Sequence, residues 1–217
     1  MANQEHLAQL NQGTAVWNQW RWNAPDVRPD LREVNLSGAD LRGINLNKAD
    51  LTGANLSKAR LNQANLYETC LGLADLSDAD LSEAKLHRTL LYGARMHDAR
   101  LNGARLHKAV LTQANLAGAC LNNARLNRAK LDKASLRWAD LSNATLCDAN
   151  LTQADLEDAS LNHANLKRAK FCMALLRCTK LIEVDLSGAN LNCADLKRAR
   201  LSNANLDRAN LCGAKLE

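Results

Sequence analysis

The side chains best suited to a binding role are six cations that recur at every twentieth position in two series. They are Lys85, Arg88, Arg105, Lys108, Arg125 and Arg128. The three short segments that carry them, 85–88, 105–108 and 125–128, contain no acidic residue. Such a cluster suits phosphate or carboxylate groups on a partner. The alternative is a solvated basic surface with no partner, because the outward positions of a repeat tolerate many residue types.

A second charged segment, residues 140–158, has five acids and no lysine or arginine. The acids are Asp140, Asp148, Asp155, Glu157 and Asp158. Together the two segments predict a banded surface, basic and then acidic, which would favour a partner of matching charge pattern. A chance distribution of surface charge explains the same sequence.

Cysteine and histidine side chains are the candidates for metal ligands. Cys172, Cys193 and Cys212 are spaced by about 20 residues, which places them on one side of three successive coils of the repeat. His87 and His107 share the spacing of the cations. A metal site needs three or four ligands at fixed geometry, and no neighbouring histidine completes the cysteine set. We therefore interpret the thiols as incidental and the two histidines as polar surface, and the sequence predicts no metal and no cofactor.

No part of the sequence has the features of an active site. No nucleophile stands in a pattern with a base and an orienting acid, and the ten glycines are scattered instead of forming a phosphate-binding loop. Enzymes generally need a cleft, and no loop interrupts the repeat to build one. The sequence therefore predicts a protein that is not an enzyme.

The element that must position these residues is a repeat of five. From Leu36 to Leu216 every fifth residue is leucine except Met96 and Phe171, and the residue two positions earlier is alanine at 31 of 37 places. On an α-helix this period would spread the leucines around the axis, and on a flat strand it would alternate their faces. The chain must instead turn a corner at every repeat, so four consecutive repeats form the four sides of one closed coil.

The motif A(D/N)LXX, as in Lys48-Ala49-Asp50-Leu51-Thr52-Gly53-Ala54-Asn55-Leu56, resembles the pentapeptide-repeat family. The resemblance covers residues 34–217 and implies an all-β fold, a right-handed quadrilateral β-helix of about nine coils. It also implies an interaction protein, since most members are of that kind and many cyanobacterial ones have no assigned activity. Trp17-Asn18-Gln19-Trp20-Arg21 followed by Pro29-Asp30-Leu31 looks like the lead-in of cyanobacterial members.

The segment that precedes the repeat, 1–33, is predicted to close the N-terminal end of the coil. Residues 3–22 form one amphipathic helix in this interpretation, and its apolar face comprises Leu7, Leu10, Val16, Trp17 and Trp20. A first coil exposes apolar edges and unpaired backbone groups, so it needs a cap. A partner-binding helix is the alternative. The predicted organisation is a cap and lead-in over 1–33 and an uninterrupted β-helix over 34–217.

The other end of the repeat has no comparable segment. The pattern runs through Ala214 and Leu216 to Glu217, and an open apolar sheet edge favours pairing with another chain. We therefore hypothesise a homodimer through the C-terminal coil, with a monomer as the alternative.

Composition bounds the location of the protein. Its N-terminus lacks the basic and apolar regions of a signal peptide, and no stretch of consecutive apolar residues approaches the length of a membrane span. The seven cysteines are odd in number and show no CxxC spacing. These features predict a cytoplasmic protein with reduced thiols and no membrane partner.

Three functions remain as hypotheses. The first is a non-catalytic scaffold that docks a protein partner on the basic side at 85–128, and the second is binding of a polyanion such as nucleic acid through that side. Against the second, Tyr67 is the one aromatic nearby for stacking. The third follows from the family, some members of which mimic DNA and bind type II topoisomerases. This chain departs from those members, because it is net basic at +5 and its repeat centres are leucine instead of phenylalanine.

Overall fold

The computed structural model describes residues 2–217, which form two short helices followed by a stack of coils. Helix α1 spans Gln4–Leu10 and helix α2 spans Thr14–Asn23. The prediction of one helix over residues 3–22 is therefore wrong. Gly13 separates the two helices with a φ of 95°, a left-handed conformation that favours glycine and that an α-helix cannot continue through.

The helices pack on the first coil with part of the predicted apolar face. Leu10 and Trp17 are buried, and Leu7 and Trp20 pack against the core while partly buried. Val16 was expected on this face but is 41% exposed. Because the helix is broken at Gly13, the second helix presents a different set of residues to the core. Trp17 and Trp20 face the core, and Val16 points away.

Side chains of α2 supply hydrogen-bond partners to the edge of the first coil. Trp17 Nε1 donates to the carbonyl of Asn45 at 2.8 Å, and Asn18 accepts from the Asn45 N–H at 2.8 Å while donating to the carbonyl of Gly43. The buried Arg21 donates to the carbonyls of Val27 and Asn47. Burial lowers the pKa of the Arg21 guanidinium, which is paired with carbonyls instead of an acid. The helices thus satisfy backbone groups that an open edge would leave unpaired.

The coils stack through isolated parallel β-bridges, with no longer strand in the described chain. A bridge begins at every fifth residue from Asp30 to Asp195 and joins it to the residue 20 positions later. Leu51 N–H, for example, donates to the carbonyl of Cys70 in the next coil at 2.7 Å, and Asn55 N–H donates to Val34 in the previous coil. The first bridging residue is Asp30, and the division of the chain at residues 33 and 34 stays a prediction.

Each corner is a tight turn between a leucine and the following alanine. Ala49 N–H donates to the carbonyl of Leu46 at 3.0 Å, and the third residue of the turn, Lys48, has a φ of 59°. All 37 equivalent positions from 33 to 213 have positive φ, yet only eight of them are glycine. Left-handed backbone costs a non-glycine residue roughly 1–2 kcal/mol, so stacking between coils must offset a strain repeated at 29 corners.

Asp and Asn residues at the bridging position have a second role. Their side-chain oxygen accepts a hydrogen bond from the backbone N–H two residues later, as Asp50 does from Thr52 at 3.0 Å and Asn55 from Ser57 at 3.1 Å. This N–H lies at the corner, where it finds no backbone carbonyl of a neighbouring coil. The side chain therefore replaces a backbone partner, as in an Asx-turn.

The core is a column of leucine and alanine that is closed to solvent over most of its length. Three alanine places are filled by buried threonines, and each hydroxyl donates to a carbonyl of the preceding coil, as Thr89 does to Leu66 at 2.7 Å. In the final coil the inward residues are partly exposed, and Leu216 is exposed. Within residues 2–217, neither helix has the length and apolar character needed to cross a membrane.

We expect Asn150→Ala to lower the free energy of unfolding by about 1–3 kcal/mol, since two turn hydrogen bonds of about 0.5–1.5 kcal/mol are removed, together with a long one from Asn150 Nδ2 to Asp132 at 3.5 Å. Asn150 Oδ1 accepts from the N–H of Thr152 at 3.2 Å and from its hydroxyl at 2.7 Å. Lys170, which is its bridge partner in the next coil, provides the matched control. Lys170→Ala should shift stability by less than about 0.5 kcal/mol. Urea denaturation compares the two, and equal losses would contradict the role of the bridging side chain.

Candidate functional site

The six predicted cations lie together on one side of the rod, which we call the basic face. Lys85, Arg105 and Arg125 are consecutive bridging residues, and each is paired to the next across one coil. Arg88, Lys108 and Arg128 occupy the adjoining corner, with φ between 57° and 59°. All six side chains are exposed. Two stacked columns thus carry a cation on each of three coils, at an inter-coil spacing of about 4.8 Å.

Ion pairs neutralise the two ends of the corner column but leave its middle cation and the whole bridging column unpaired. Arg88 pairs with Glu68 at 3.1 Å, and Arg128 Nε lies 3.9 Å from Asp148. Across the described residues, no acid lies within 4.0 Å of the other four cations. These four, the unpaired cations, are Lys85, Arg105, Lys108 and Arg125.

Arginines near the N-terminal end of the rod differ from the unpaired cations. Arg42 pairs with Asp40 at 2.6 Å and Arg60 approaches the same carboxylate at 3.1 Å. The hydrogen bond from Arg42 lowers the pKa of Asp40 to about 2. The charges of Arg42 and Arg60 are therefore balanced within the fold, whereas the four unpaired cations of the basic face leave their charge to solvent or a partner.

The basic face also gives up the turn-stabilising side chains described above. Asp or Asn fills nine of the eleven bridging positions from 30 to 80, but only one of the ten from 85 to 130, Asn115. Lysine and arginine cannot accept a hydrogen bond. Accordingly, the backbone N–H groups of His87, His107 and Asn127 have no acceptor among the hydrogen bonds of the described residues. The coil itself gains nothing from these substitutions.

Charge is concentrated in the same part of the rod. Residues 85–130 contain nine lysines and arginines and one acid, Asp98, a net charge of +8, so the remaining residues together carry −3 of the chain's +5. The sequence prediction missed this extent, although the loss of Asp and Asn from the bridging positions was a readable signal of it. Such a field attracts anionic groups over a range of about 8–10 Å at physiological salt.

Two histidines lie between the cation columns. The rings of His87 and His107 are tilted at 55° with centroids 6.2 Å apart. Partial burial lowers the pKa of His87, with further contributions from His107, Arg105 and Lys85. A charged imidazole is thus disfavoured at this place, and His87 is held in its neutral form.

The predicted acidic band is not a single surface. Asp155 and Glu157 lie on one side and both pair with Arg137, while Asp148 lies on the side of the basic face and binds Arg168 at 2.7 Å. Asp140, on a third side, accepts from Ser142 and Asn122. The segment is acidic along the chain, but neighbouring coils bring arginines to most of these carboxylates. A surface of alternating basic and acidic bands is therefore not formed.

The cysteines do not assemble into a ligand set. Cys193 and Cys212 are adjacent, with Cys193 N–H donating to the Cys212 carbonyl at 2.9 Å, and both are exposed free thiols. Over residues 2–217, no group of three or more His, Cys, Asp or Glu side chains is placed to hold a metal ion.

The family model for pentapeptide repeats matches eight copies along the chain, over residues 30–66, 74–113, 109–146, 139–177 and 179–217. This chain belongs to the pentapeptide-repeat family. Proteins of the family are in general non-catalytic repeat scaffolds. No curated protein matches this pentapeptide-repeat chain.

Solved structures of similar proteins support the same β-helical fold. HetL, a pentapeptide-repeat protein involved in heterocyst differentiation regulation from the cyanobacterium Nostoc sp. strain PCC 7120, is 35% identical, with 90% of this chain and 94% of HetL covered and a TM-score of 0.50. QnrB1, a plasmid-mediated fluoroquinolone resistance protein, is 16% identical over 87% of this chain and 86% of its own, with a TM-score of 0.54. At that identity QnrB1 supports the fold alone.

Acidification should destabilise this pentapeptide-repeat protein in part through His87. Its pKa in the folded chain lies below the ordinary value near 6.5, so below that pH the unfolded chain binds the proton more readily. The contribution of neutral His87 is complete above pH 6.5 and is lost as the pH falls through the lowered pKa. Urea midpoints at about pH 7.5 and about pH 5.5 should differ less in His87→Asn than in the wild type. An identical pH response in both proteins would contradict this assignment.

Proposed function

We propose that this protein is a non-catalytic scaffold whose basic face docks a partner protein through carboxylate groups. The observation that carries the proposal is the group of four unpaired cations on three successive coils of the face. We further propose the finer architecture of a right-handed quadrilateral β-helix of about nine coils, closed at its N-terminal end by the two helices. Homodimer formation and a cytoplasmic location stay predictions.

The shape of the face favours binding over chemistry. Successive coils repeat the same backbone, so the support that carries the unpaired cations is rigid and loses little backbone freedom on binding. Arginine presents its donors in a planar fork that matches a carboxylate, and two of the four cations are arginines of one column, Arg105 and Arg125. A carboxylate there would satisfy charges that the fold leaves unbalanced.

Binding of a polyanion such as nucleic acid is the second candidate function. The clustering of positive charge over residues 85–130 supports it. The columns of the basic face hold a single aromatic side chain, Tyr67, at which a base could stack, and this weakens the case for single-stranded nucleic acid. Mimicry of DNA toward a topoisomerase ranks last, since it requires an acidic surface where this one is basic.

The test is a charge-reversed variant with a matched control. Arg105→Glu, Lys108→Glu and Arg125→Glu reverse two stacked bridging cations and one corner cation. The control changes Lys180, Arg200 and Arg198 to glutamate, which likewise reverses two stacked bridging cations and one corner cation, but on other sides of the rod. All six side chains are exposed, so both variants should keep the fold, as circular dichroism can verify.

We expect a protein captured from nuclease-treated lysate of the source organism to bind the wild type and the control equally. Binding to the basic-face variant should fall roughly tenfold or more, which corresponds to about 1.4 kcal/mol per decade. Capture that depends on nucleic acid, with a steep loss of affinity as salt rises, would favour the second candidate. Equal retention by all three proteins would refute the basic face as a docking surface.

A further inference from the structure

An exposed apolar cluster lies around the corner from the basic face, on the coil of Lys85 and Arg88 and on the coil before it. Leu73, Leu90 and Tyr92 are 62%, 37% and 45% exposed. We call these three residues the apolar platform. Leu90 is a bridging residue paired with Val110 in the next coil, so another apolar side chain extends the platform toward the C-terminal end of the rod. Exposed apolar groups that are contiguous in this way mark contact surfaces more often than isolated ones do.

Two glycines allow the platform to form. The Tyr92 ring lies over Gly72, where a β-carbon would overlap the ring, and a β-carbon on Gly93 would lie 2.9 Å from Leu73 Cδ2. Two neighbouring coils therefore contact each other through complementary pairs, in which Tyr92 packs on Gly72 and Leu73 packs on Gly93. Leu73 takes part despite a φ of 58°, a strained conformation for leucine. Both large side chains lie flat on the surface without entering the core.

The platform is continuous with the basic face. Arg88 and Leu90 line the same shallow recess of about 250 Å³, together with Lys48, Glu68, Cys70 and Arg28. One coil further along, the unpaired Lys108 stands two residues before Val110. The corner column beside the platform thus holds Glu68 on the coil of Leu73, then Arg88, which pairs with Glu68, and then Lys108. On the opposite border Arg95 is a cation, paired with Asp75 at 2.7 Å.

Apart from the corner residue Glu68, which pairs with Arg88, acids are absent from the part of this side of the rod that carries the platform. Between Asp50 and Lys130, the outward positions of the side are apolar residues, cysteine, glycine, glutamine or threonine. An apolar surface bordered by cations complements a segment that presents large apolar side chains between carboxylates. Phosphates would use the cations alone and would gain nothing from Leu73 and Leu90.

We propose that the occupant of this edge is an acidic segment of a partner protein that places apolar side chains on Leu73, Leu90 and Tyr92 and carboxylates on Lys108 and the basic face. This inference rests on the proposed function and defines the chemistry of its partner. Hydrophobic contact supplies affinity at the platform, while the cations set the orientation and reject basic sequences.

The test uses a random peptide library displayed on phage and selected on the wild-type rod. Two variants serve for the analysis of the selected peptides: Leu73→Ser with Tyr92→Ser, and a control with Met173→Ser and Leu175→Ser. Met173 occupies the same corner position as Leu73 five coils later, with a φ of 55°, and the control pair is 50% and 42% exposed. Denaturation midpoints of both variants establish that the fold is retained.

We expect the selected peptides to be enriched in aspartate, glutamate and large apolar residues. Their affinity should fall at least tenfold on the platform variant and on the Arg105, Lys108 and Arg125 variant, and should be unchanged on the control. Loss on the basic-face variant alone would overturn the platform while leaving the proposed function intact. If the selected peptides contain no acids and lose affinity for the platform variant alone, the basic face has no part in binding and the proposed function is overturned.

Binding of a labelled single-stranded oligonucleotide is the last measurement, and it tests for a polyanion partner. Selection of no peptide, combined with oligonucleotide binding that the platform variant leaves unchanged, would overturn the inference in favour of a polyanion. If no peptide is selected and the oligonucleotide does not bind either, both the inference and the proposed function are overturned.

Discussion

The hydrogen bonds between coils are the constraint on which the rest of this structure depends. Each bridging residue pairs with the residues 20 positions before and after it, so a single insertion would break the register with both neighbours. The chain accordingly has no loop over its repeats and no cleft formed by loops. Whatever the protein recognises must be recognised by columns of side chains on flat sides and their corners. The relevant unit of function is thus a stack of residues from several coils.

The same constraint explains which side chains carry information. Inward positions are nearly all leucine or alanine, which fill a uniform core, and corner positions must accept left-handed backbone whatever their side chain. Bridging positions are the ones where local stability and function compete, because Asp or Asn there closes the turn. The coils at 85–130 abandon this arrangement in favour of cations and apolar residues. Departure from a local rule without a gain in stability is what a functional surface is expected to show.

The basic face and the apolar platform form one edge with two kinds of chemistry. Cations by themselves give orientation and rapid association but little affinity in water. Apolar side chains by themselves give affinity without direction. Their meeting at one corner, where the unpaired Lys108 follows the platform by one coil, gives the rod a surface that can discriminate among partners. A family of scaffolds can change its partners in this way while its core stays the same.

The amino-acid sequence by itself determined the coil, its four-repeat period and the columns of the basic face, because a strict spacing of leucine and alanine allows one way to bury them. It did not determine how side chains of adjacent coils meet. Only the tertiary structure showed that Glu68 and Asp148 neutralise the two ends of the corner column, and that Gly72 and Gly93 make room for Tyr92 and Leu73. The break at Gly13 likewise decided that Val16 faces solvent. Period and pattern fix the backbone of a solenoid, whereas pairing depends on the reach and rotamers of side chains that lie one full coil apart along the chain.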